Sequence, residues 1–503
     1  MKNNHKNISE SHLRVAHIAS EVNPFSKTGG LGSVLGSLPR AQKDLKVDVI
    51  IVTPFYEKII DPKAYALESL GTSEKIELEP GIFETVFFYR GFLGEEKVPV
   101  YFIGNKKFFG CHHKTLYDAG NDNARFLFFN IASLFLLKKI DFQPDVVHCH
   151  DWHSGIVPYL LKTRYKKDQF WNKTATLFTI HNLSFQLGHN WRNIPPEKID
   201  NVRSKLPSFL DSKNLENLNF AKRAINYADA INAVSETYRT EILKKTFGEN
   251  LDKLLRRKKR ILFGIVNGID YDDYNPLTDL GLVRRYSSRS VQLKKYNKKF
   301  LQKHYGLTVD AKNPLLCTTS RISEQKGFKL ILKIIRTVLL RGAQFIIMGD
   351  GDEKTIAQFK ELQKEFPGQL VYTPFDQERE TLLYAGAEIF LLPSRFEPCG
   401  INQMIALRYG CVPIVHSIGG LADTVIDYDP QTKTGNGFGF KHYDATNLLI
   451  AIIRAIENYK HARAWKNLSI AGLKEANSWK IPAQKYIDLY ATVILLKKRK
   501  SVN

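Results

Sequence analysis

The stretch PSRFEPCGINQMIALRYGCVPIV, residues 393–415, sets a carboxylate, Glu397, just ahead of a helix that opens near Gly400. A helix N-terminus offers unpaired backbone N–H groups and the positive end of its dipole, so phosphate oxygens are received there. Glu397 beside such a site would repel phosphate. It must therefore contact something else, and ribose or hexose hydroxyls fit. Cys399, Gly400 and Asn402 line the same turn, and Gly419 and Gly420 in GGLADTV precede another helix. Upstream, SRISEQKGF places Arg321 and Lys326 around a turn that follows a strand-like run. Two cations at one strand end suit a diphosphate, although an ordinary surface pair reads equally well from spacing alone.

The first half carries a second set. In KTGGLGS, Lys27 precedes Gly29, Gly30 and Gly32. This is neither a P-loop, where the lysine follows the glycines, nor the GxGxxG dinucleotide fingerprint. Such glycines let the backbone approach a ligand and supply N–H groups at a helix start, and Lys27 adds a point charge. In HCHDWHSG, His148, His150 and His153 invite a metal reading, but no carboxylate cluster of fitting spacing follows. Asp151, at the strand end, is better suited to sugar hydroxyls, and FTIHN puts His181 at a further strand end. GDGDE, residues 349–353, has the look of an Asp-x-Asp metal motif. If cations and a helix dipole stabilise a leaving diphosphate, a metal is unnecessary there. The five cysteines form no CxxC pair, which argues against a disulfide framework or a structural zinc.

These residues need strand ends to hold them. Strand-like runs fall at 15–22, 47–53, 98–103, 145–149 and 176–180, and the rhythm restarts at 261–266, 315–319, 343–348, 369–372, 389–392 and 412–415. Amphipathic stretches such as 328–340 and 445–459 lie between them. Alternating strands and helices mean parallel sheets covered on both faces. A chain of 503 residues exceeds one core. The expectation is α/β: two doubly wound domains facing each other across a cleft, with a hinge at NGIDYDDYNPLTD and ligands beyond the carboxyl ends of the strands. The apolar run at 126–137 is shorter than the ~20 residues of a membrane span and reads as a buried helix. The polar N-terminus lacks a signal core, so the cytoplasm is the expected compartment and no membrane partner is expected. The net charge of +22 raises nucleic acid as a partner, but the basic runs lack interleaved aromatics and no nucleic-acid motif occurs.

Taken together, SEVNPFSKTGGLG, HCHDWHSG, TIHNLSFQ, AVSETYRTEI, GIVNGID, SRISEQKGF, AGAEIFLLPSRFEPCG and RYGCVPIV…GGLADTV resemble the bacterial glycogen synthase and plant starch synthase family, in family order, from about Arg14 to Tyr490. The resemblance implies two Rossmann-like domains of GT-B architecture. The first is expected at 1–267, the sugar-nucleotide domain at 268–480, and a C-terminal helix crossing back at 481–503. It implies transfer of glucose from ADP-glucose to the nonreducing end of an α-1,4-glucan with retention and without a metal or other cofactor. By position, Lys27 resembles the lysine near the donor phosphates. Asp151, His181 and Asn267 resemble residues facing the donor glucose. Arg321 and Lys326 resemble the diphosphate pair, and Glu397 the essential carboxylate.

The chain departs from that pattern. Ser33 stands for the acid of GGLGD, and His416 and Ile418 stand for the Arg and Thr of RxTGGL. Ile405 replaces a frequent tyrosine, Arg223 and Ala224 sit where small residues are usual, and Phe185 and Leu187 replace Tyr and Gly. These motivate a rival reading, a catalytically impaired glucan-binding scaffold. The intact set of Lys27, Asp151, His181, Arg321, Lys326 and Glu397 favours an active enzyme.

Overall fold

A computed structural model describes residues 13–113, 115–117, 120–475 and 477–502. The chain divides into two compact units. One comprises the chain up to Val234, Arg239–Ile265 and the segment from Pro482 onward; the other comprises Ser235–Tyr238 and Val266–Ile481.

The first unit is built on strands β1 (Arg14–Ile18), β2 (Asp48–Pro54), β3 (Glu68–Ser69), β4 (Glu74–Glu79), β5 (Ile82–Leu93), β6 (Val98–Gly104), β7 (Val146–His150), β8 (Ala175–Ile180), β9 (Ala230–Ala233) and β10 (Leu262–Gly264). They form one sheet in the order β10-β9-β8-β7-β1-β2-β6-β5-β3, with β4 paired to β5. From β10 to β6 every pairing is parallel, and β5 runs antiparallel to β6. Strand β7 reads VVHCH with every residue buried, as a strand covered on both faces requires. The helix Asp122–Lys139 is apolar nearly all round, and fourteen of its residues are buried. Such a helix is itself enclosed rather than laid on a surface.

The second unit holds β11 (Leu315–Thr319), β12 (Gln344–Met348), β13 (Leu370–Thr373), β14 (Ile389–Leu392), β15 (Val412–His416) and β16 (Phe438–Phe440). Its sheet is parallel throughout, in the order β13-β12-β11-β14-β15-β16. Numbered within the unit this is 3-2-1-4-5-6, the doubly wound order whose ligands bind where the strand order reverses. The parallel strands of the first unit follow the same rule, with the reversal between β1 and β7.

One expectation is corrected and one element is added. The run at 261–266 does not restart the strand series: Leu262–Gly264 is the edge strand of the first sheet, parallel to β9. The β4–β5 hairpin was not anticipated. Its signal is EKIELEPGIFETV, where Ile76 and Leu78 alternate inward and Gly81 (φ 81°) follows Pro80 at the turn, a position that favours glycine.

Candidate active site

At the reversal point of the second unit, β11 and β14 end side by side. Beyond β14, Glu397 is 8% exposed, and its Oε2 accepts from Lys326 Nζ at 2.6 Å and Ser394 Oγ at 3.1 Å. Glu397 Oε1 has no hydrogen-bond partner among the described residues. Lys326 comes from the turn after β11, so the two predicted residues meet although they lie 71 apart in sequence. Arg321, in the same turn, is exposed and has no ion-pair partner among the described residues. Gly419 carries φ 48°, and a Cβ there would strike the Glu397 carbonyl, while Gly420 N donates to that carbonyl at 3.1 Å. The helix start and the Glu397 turn are thus locked together by a residue that must be glycine.

Three buried polar atoms here lack partners among the described residues: Asn267 Oδ1, Ser320 Oγ and Thr319 Oγ1. Buried polar atoms are nearly always bonded; Gln403 Oε1, Tyr384 Oη and Asn477 Nδ2 of the same unit are also without partners among the described residues, so these orphans do not by themselves locate a ligand. Asn402 is different. Its Nδ2 donates to Thr319 O at 2.8 Å, bracing β11 against the helix Asn402–Arg408. Cys399 is buried, and burial pushes its thiol up to about 12, so it is a packing residue here rather than a nucleophile. A recess of about 830 Å³ lies past β13, lined by Thr373, Pro374, Phe375, Asp376, Gln377 and Glu378. Phe375 is 46% exposed there and was not picked out from the sequence; an aromatic three residues past the end of a predicted strand is its only signal.

In the first unit, the turn after β1 runs into Lys27, Gly29 and Gly30, all exposed. Glu21 ties this turn: it accepts from Thr28 N at 2.7 Å, Thr28 Oγ1 at 2.6 Å, Gly29 N at 3.3 Å and the Tyr117 hydroxyl. The N–H groups of Thr28 and Gly29 are therefore not free for a ligand, contrary to the simple glycine-loop expectation. Those of the first helical turn, Gly30 to Gly32, have no intrahelical acceptor. Glu21 and Tyr117 were missed because nothing local marks them; they meet across 96 residues.

Asp151 follows β7 with φ 53° and ψ −179°, a region nearly confined to glycine that costs about 1–3 kcal/mol. Its Oδ1 accepts from His181 N at 2.7 Å and Asn182 N at 3.4 Å. Burial raises the carboxyl to about 7 from an ordinary 3.8, with those two N–H groups opposing the rise. An ionised Asp151 thus costs the fold more as pH climbs from about 4 to about 7, because the unfolded chain has by then lost its proton. Asp151→Asn is expected to stabilise the fold at pH 8 by an amount on the order of a few kcal/mol, raising the melting temperature, and to raise it less at pH 5. Thermal melts at the two pH values check this; an equal or reversed change would show that the carboxyl ionises normally.

The three histidines of HCHDWHSG do not gather. His153 stacks on Tyr117 and packs by Trp152, with Nδ1 buried and unpartnered among the described residues. His148 and His150 instead join His17 at a spacing that a metal could use. All six ring nitrogens of this trio already have protein partners, namely one another, Gln42, Tyr490, Thr179 and His181. In the Asp-x-Asp motif the second acid has a structural task. Asp352 caps the helix Glu353–Glu365, accepting from Thr355 N at 2.9 Å and Thr355 Oγ1 at 2.6 Å, and these bonds hold its carboxyl below the usual range.

Four of the departures from the family pattern have structural accounts. Arg223 is fully buried but paired with Asp200 through bonds of 2.8 and 2.9 Å. Ile405 is 2% exposed, in the core. His416 sits between the carbonyls of Ser394 (2.9 Å) and Lys441 (3.3 Å), bracing the strand that precedes Ile418, and Ile418 is buried at the cap of helix Gly419–Thr424. Nothing in the structure explains Ser33.

Residues 14–257 match the starch synthase catalytic domain, and residues 302–470 match the glycosyl transferases group 1 family. A glycogen synthase of Thermosipho melanesiensis is 40% identical over 486 residues, 95% of this chain and 98% of that one. A glycogen synthase of Clostridium perfringens is 40% identical over 488 residues, 96% of this chain and 98% of that one. Among solved structures, the catalytic domain of starch synthase IV from Arabidopsis thaliana, bound to ADP and acarbose, has a TM-score of 0.83 and 30% identity, covering 96% of this chain and all of that one. A sucrose-phosphate synthase from Thermosynechococcus elongatus, with a TM-score of 0.60 and 15% identity over 96% of this chain and 100% of its own, shares the fold. With two parallel-sheet units and this similarity along nearly its whole length, the chain belongs to the glycogen synthase and starch synthase family of glycosyltransferases.

Proposed function

We propose that this protein transfers glucosyl units from ADP-glucose to the 4-hydroxyl at the nonreducing end of an α-1,4-glucan, with retention of configuration. The observation that carries the reading is the 2.6 Å Lys326–Glu397 pair at the strand-order reversal, with Arg321, which has no ion-pair partner among the described residues, in the same turn. The reading gives Arg321, Lys326 and the backbone at Gly400, Gly419 and Gly420 to the diphosphate, and Lys27 to the donor phosphates. It gives Glu397, Asp151, His181 and Asn267 to sugar hydroxyls. It includes no metal and no cofactor: the cations and helix N-termini take up the charge that develops on the leaving diphosphate. The glycosidic C–O bond to the diphosphate breaks as the acceptor oxygen approaches on the same face. A diphosphate oxygen receives the acceptor's proton, so ADP leaves protonated and the glucan gains one residue.

ADP-glucose is favoured over UDP-glucose for two reasons. A similar starch synthase structure holds ADP. The half-exposed Phe375 offers a flat apolar face beside the second unit's strand ends, and a purine covers such a face more fully than a pyrimidine.

The test is incorporation of labelled glucose into glycogen from ADP-glucose and UDP-glucose side by side, with metal chelated. Incorporation chiefly from ADP-glucose is expected. In the same assay Phe375→Ala is expected to raise the donor KM about tenfold or more, the loss of one base–aromatic stack, with kcat little changed. No incorporation from either donor, with glycogen still bound, would leave the scaffold reading in its place.

A further inference from the structure

Behind His181 runs an unbroken chain of hydrogen bonds. Nε2 of His181 lies 3.0 Å from Nδ1 of His150, and Nε2 of His150 lies 2.9 Å from Nδ1 of His17. Nε2 of His17 lies 2.8 Å from Oε1 of Gln42, and Nε2 of Gln42 donates to the Tyr490 hydroxyl at 2.9 Å. That hydroxyl lies 2.8 Å from Nδ1 of His148, whose Nε2 lies 2.7 Å from Thr179 Oγ1. His17, Gln42, His148, His150 and Tyr490 are all 0% exposed.

The fold brings these groups together by register. β1 and β7 are parallel neighbours with His17 opposite His148, and β7 and β8 pair His150 with Thr179. Residues two apart on a strand share a face, so His148 and His150 point the same way. Gln42 comes from the helix Gly30–Asp44, and Tyr490 from the C-terminal helix Lys480–Val502. Sequence distances of up to 448 residues separate direct partners.

A neutral imidazole has one N–H and one lone pair, so a chain of them has a direction. Burial lowers the proton affinity of all four histidines and keeps them neutral near pH 7. Gln42 sets the direction. Its Nε2 can only donate, and does so to Tyr490; its Oε1 can only accept, so His17 must carry its proton on Nε2. His17 Nδ1 is then bare and accepts from His150 Nε2–H. His150 Nδ1 is bare in turn and accepts from His181 Nε2–H. His181 is left with a bare Nδ1, which has no hydrogen-bond partner among the described residues.

We propose that Gln42, oriented by Tyr490, sets the tautomer of His181 through His17 and His150, so that His181 presents an acceptor lone pair on Nδ1 to a hydroxyl of the transferred sugar. This rests on the reading that His181 faces the donor glucose. Gln42 and Tyr490 touch no substrate and act as positioning residues. The chain is all-or-none. Reversing one link sets two donors or two lone pairs face to face in a buried site, so the direction set at Gln42 is carried to His181.

The test uses the full chain labelled with [15N]histidine, with long-range 1H–15N spectra at pH 7.5 and the His181 signals assigned by their loss in His181→Gln. In the parent protein, His181 is expected as the Nε2–H tautomer with Nδ1 unprotonated. Gln42→Leu removes the direction-setting group; it is expected to give a mixture of His181 tautomers and a roughly tenfold fall in kcat/KM. Tyr490→Phe deletes a single hydroxyl and frees the Gln42 amide to turn over, so it is expected to shift the tautomers the same way if Gln42→Leu does not fold. Gln42→Glu keeps an acceptor facing His17 and is expected to restore the parent signals. A proton on Nδ1 of His181 in the parent, or an unchanged Nε2–H tautomer in both Gln42→Leu and Tyr490→Phe, would overturn the proposal. The spectra are read whether or not sugar is transferred, so failure of the relay and failure of the site reading give separate results.

Discussion

Replacing Glu397 by alanine is expected to lower glucosyl transfer by about a hundredfold to a thousandfold, the scale on which one preorganised electrostatic contact at a reacting centre is lost. The carboxylate is buried, and one oxygen is committed to Lys326 and Ser394 while the other has no partner among the described residues. Removing it frees Lys326 Nζ from its only carboxylate neighbour among the described residues, so the cation that the proposed reading gives to the diphosphate loses its position as well as its balance. Glu397→Gln preserves shape and the Ser394 bond but not the charge. It is expected to lose nearly as much activity, which separates an electrostatic role from a packing one. Steady-state rates with ADP-glucose, set beside glycogen binding and melting temperature, check this. Transfer within threefold of the parent in Glu397→Ala would remove this residue from the reaction.

The second large effect is on acid stability. His17, His148 and His150 are fully buried and neutral; burial lowers His17 to about 4 and the other two well below their ordinary value. In the unfolded chain each takes up a proton near pH 6.5. Between that pH and the depressed folded value, the unfolded state binds more protons, so stability is full above pH 6.5 and falls as pH drops. At pH 5 the loss is about 2 kcal/mol for each such histidine. Three of them approach the whole stability of an ordinary domain, about 5–15 kcal/mol. Asp151 acts in the opposite sense over the same range, but it is a single group against these three, and burial lowers His153 and His181 in the same direction as them. Urea unfolding of the first unit, followed at pH 7.5, 6 and 5, is expected to show a steep decline, shallower by about one proton in His17→Gln. A flat profile would mean that these rings are solvated in solution.

Much of the site was legible without coordinates because it is local. A strand end, a turn and a helix start lie within a dozen residues, so PSRFEPCGINQ and SRISEQKGF display their polar residues in one window each. The parallel strand rhythm is equally local, since a strand buried on both faces must be a short apolar run. Departures such as Arg223 and Ile405 are absorbed by a buried partner and by packing.

What the chain could not display on its face is partnership across sequence distance. Lys326 and Glu397 were each named, yet their pairing depends on β11 lying beside β14, with the chain between them spent on two other strands and their helices. His148, His150 and His153 look like one cluster in a line of text. The pleat sends His148 and His150 to one side, and register then gives them His17 from a strand more than a hundred residues earlier. Glu21 with Tyr117, and Gln42 with Tyr490, are ordinary polar residues in sequence. Types and spacing along the chain determined the family and which polar residues each loop offers. Strand order and register, which follow from burying every apolar face at once, decided which of those groups touch and which are shut away from water.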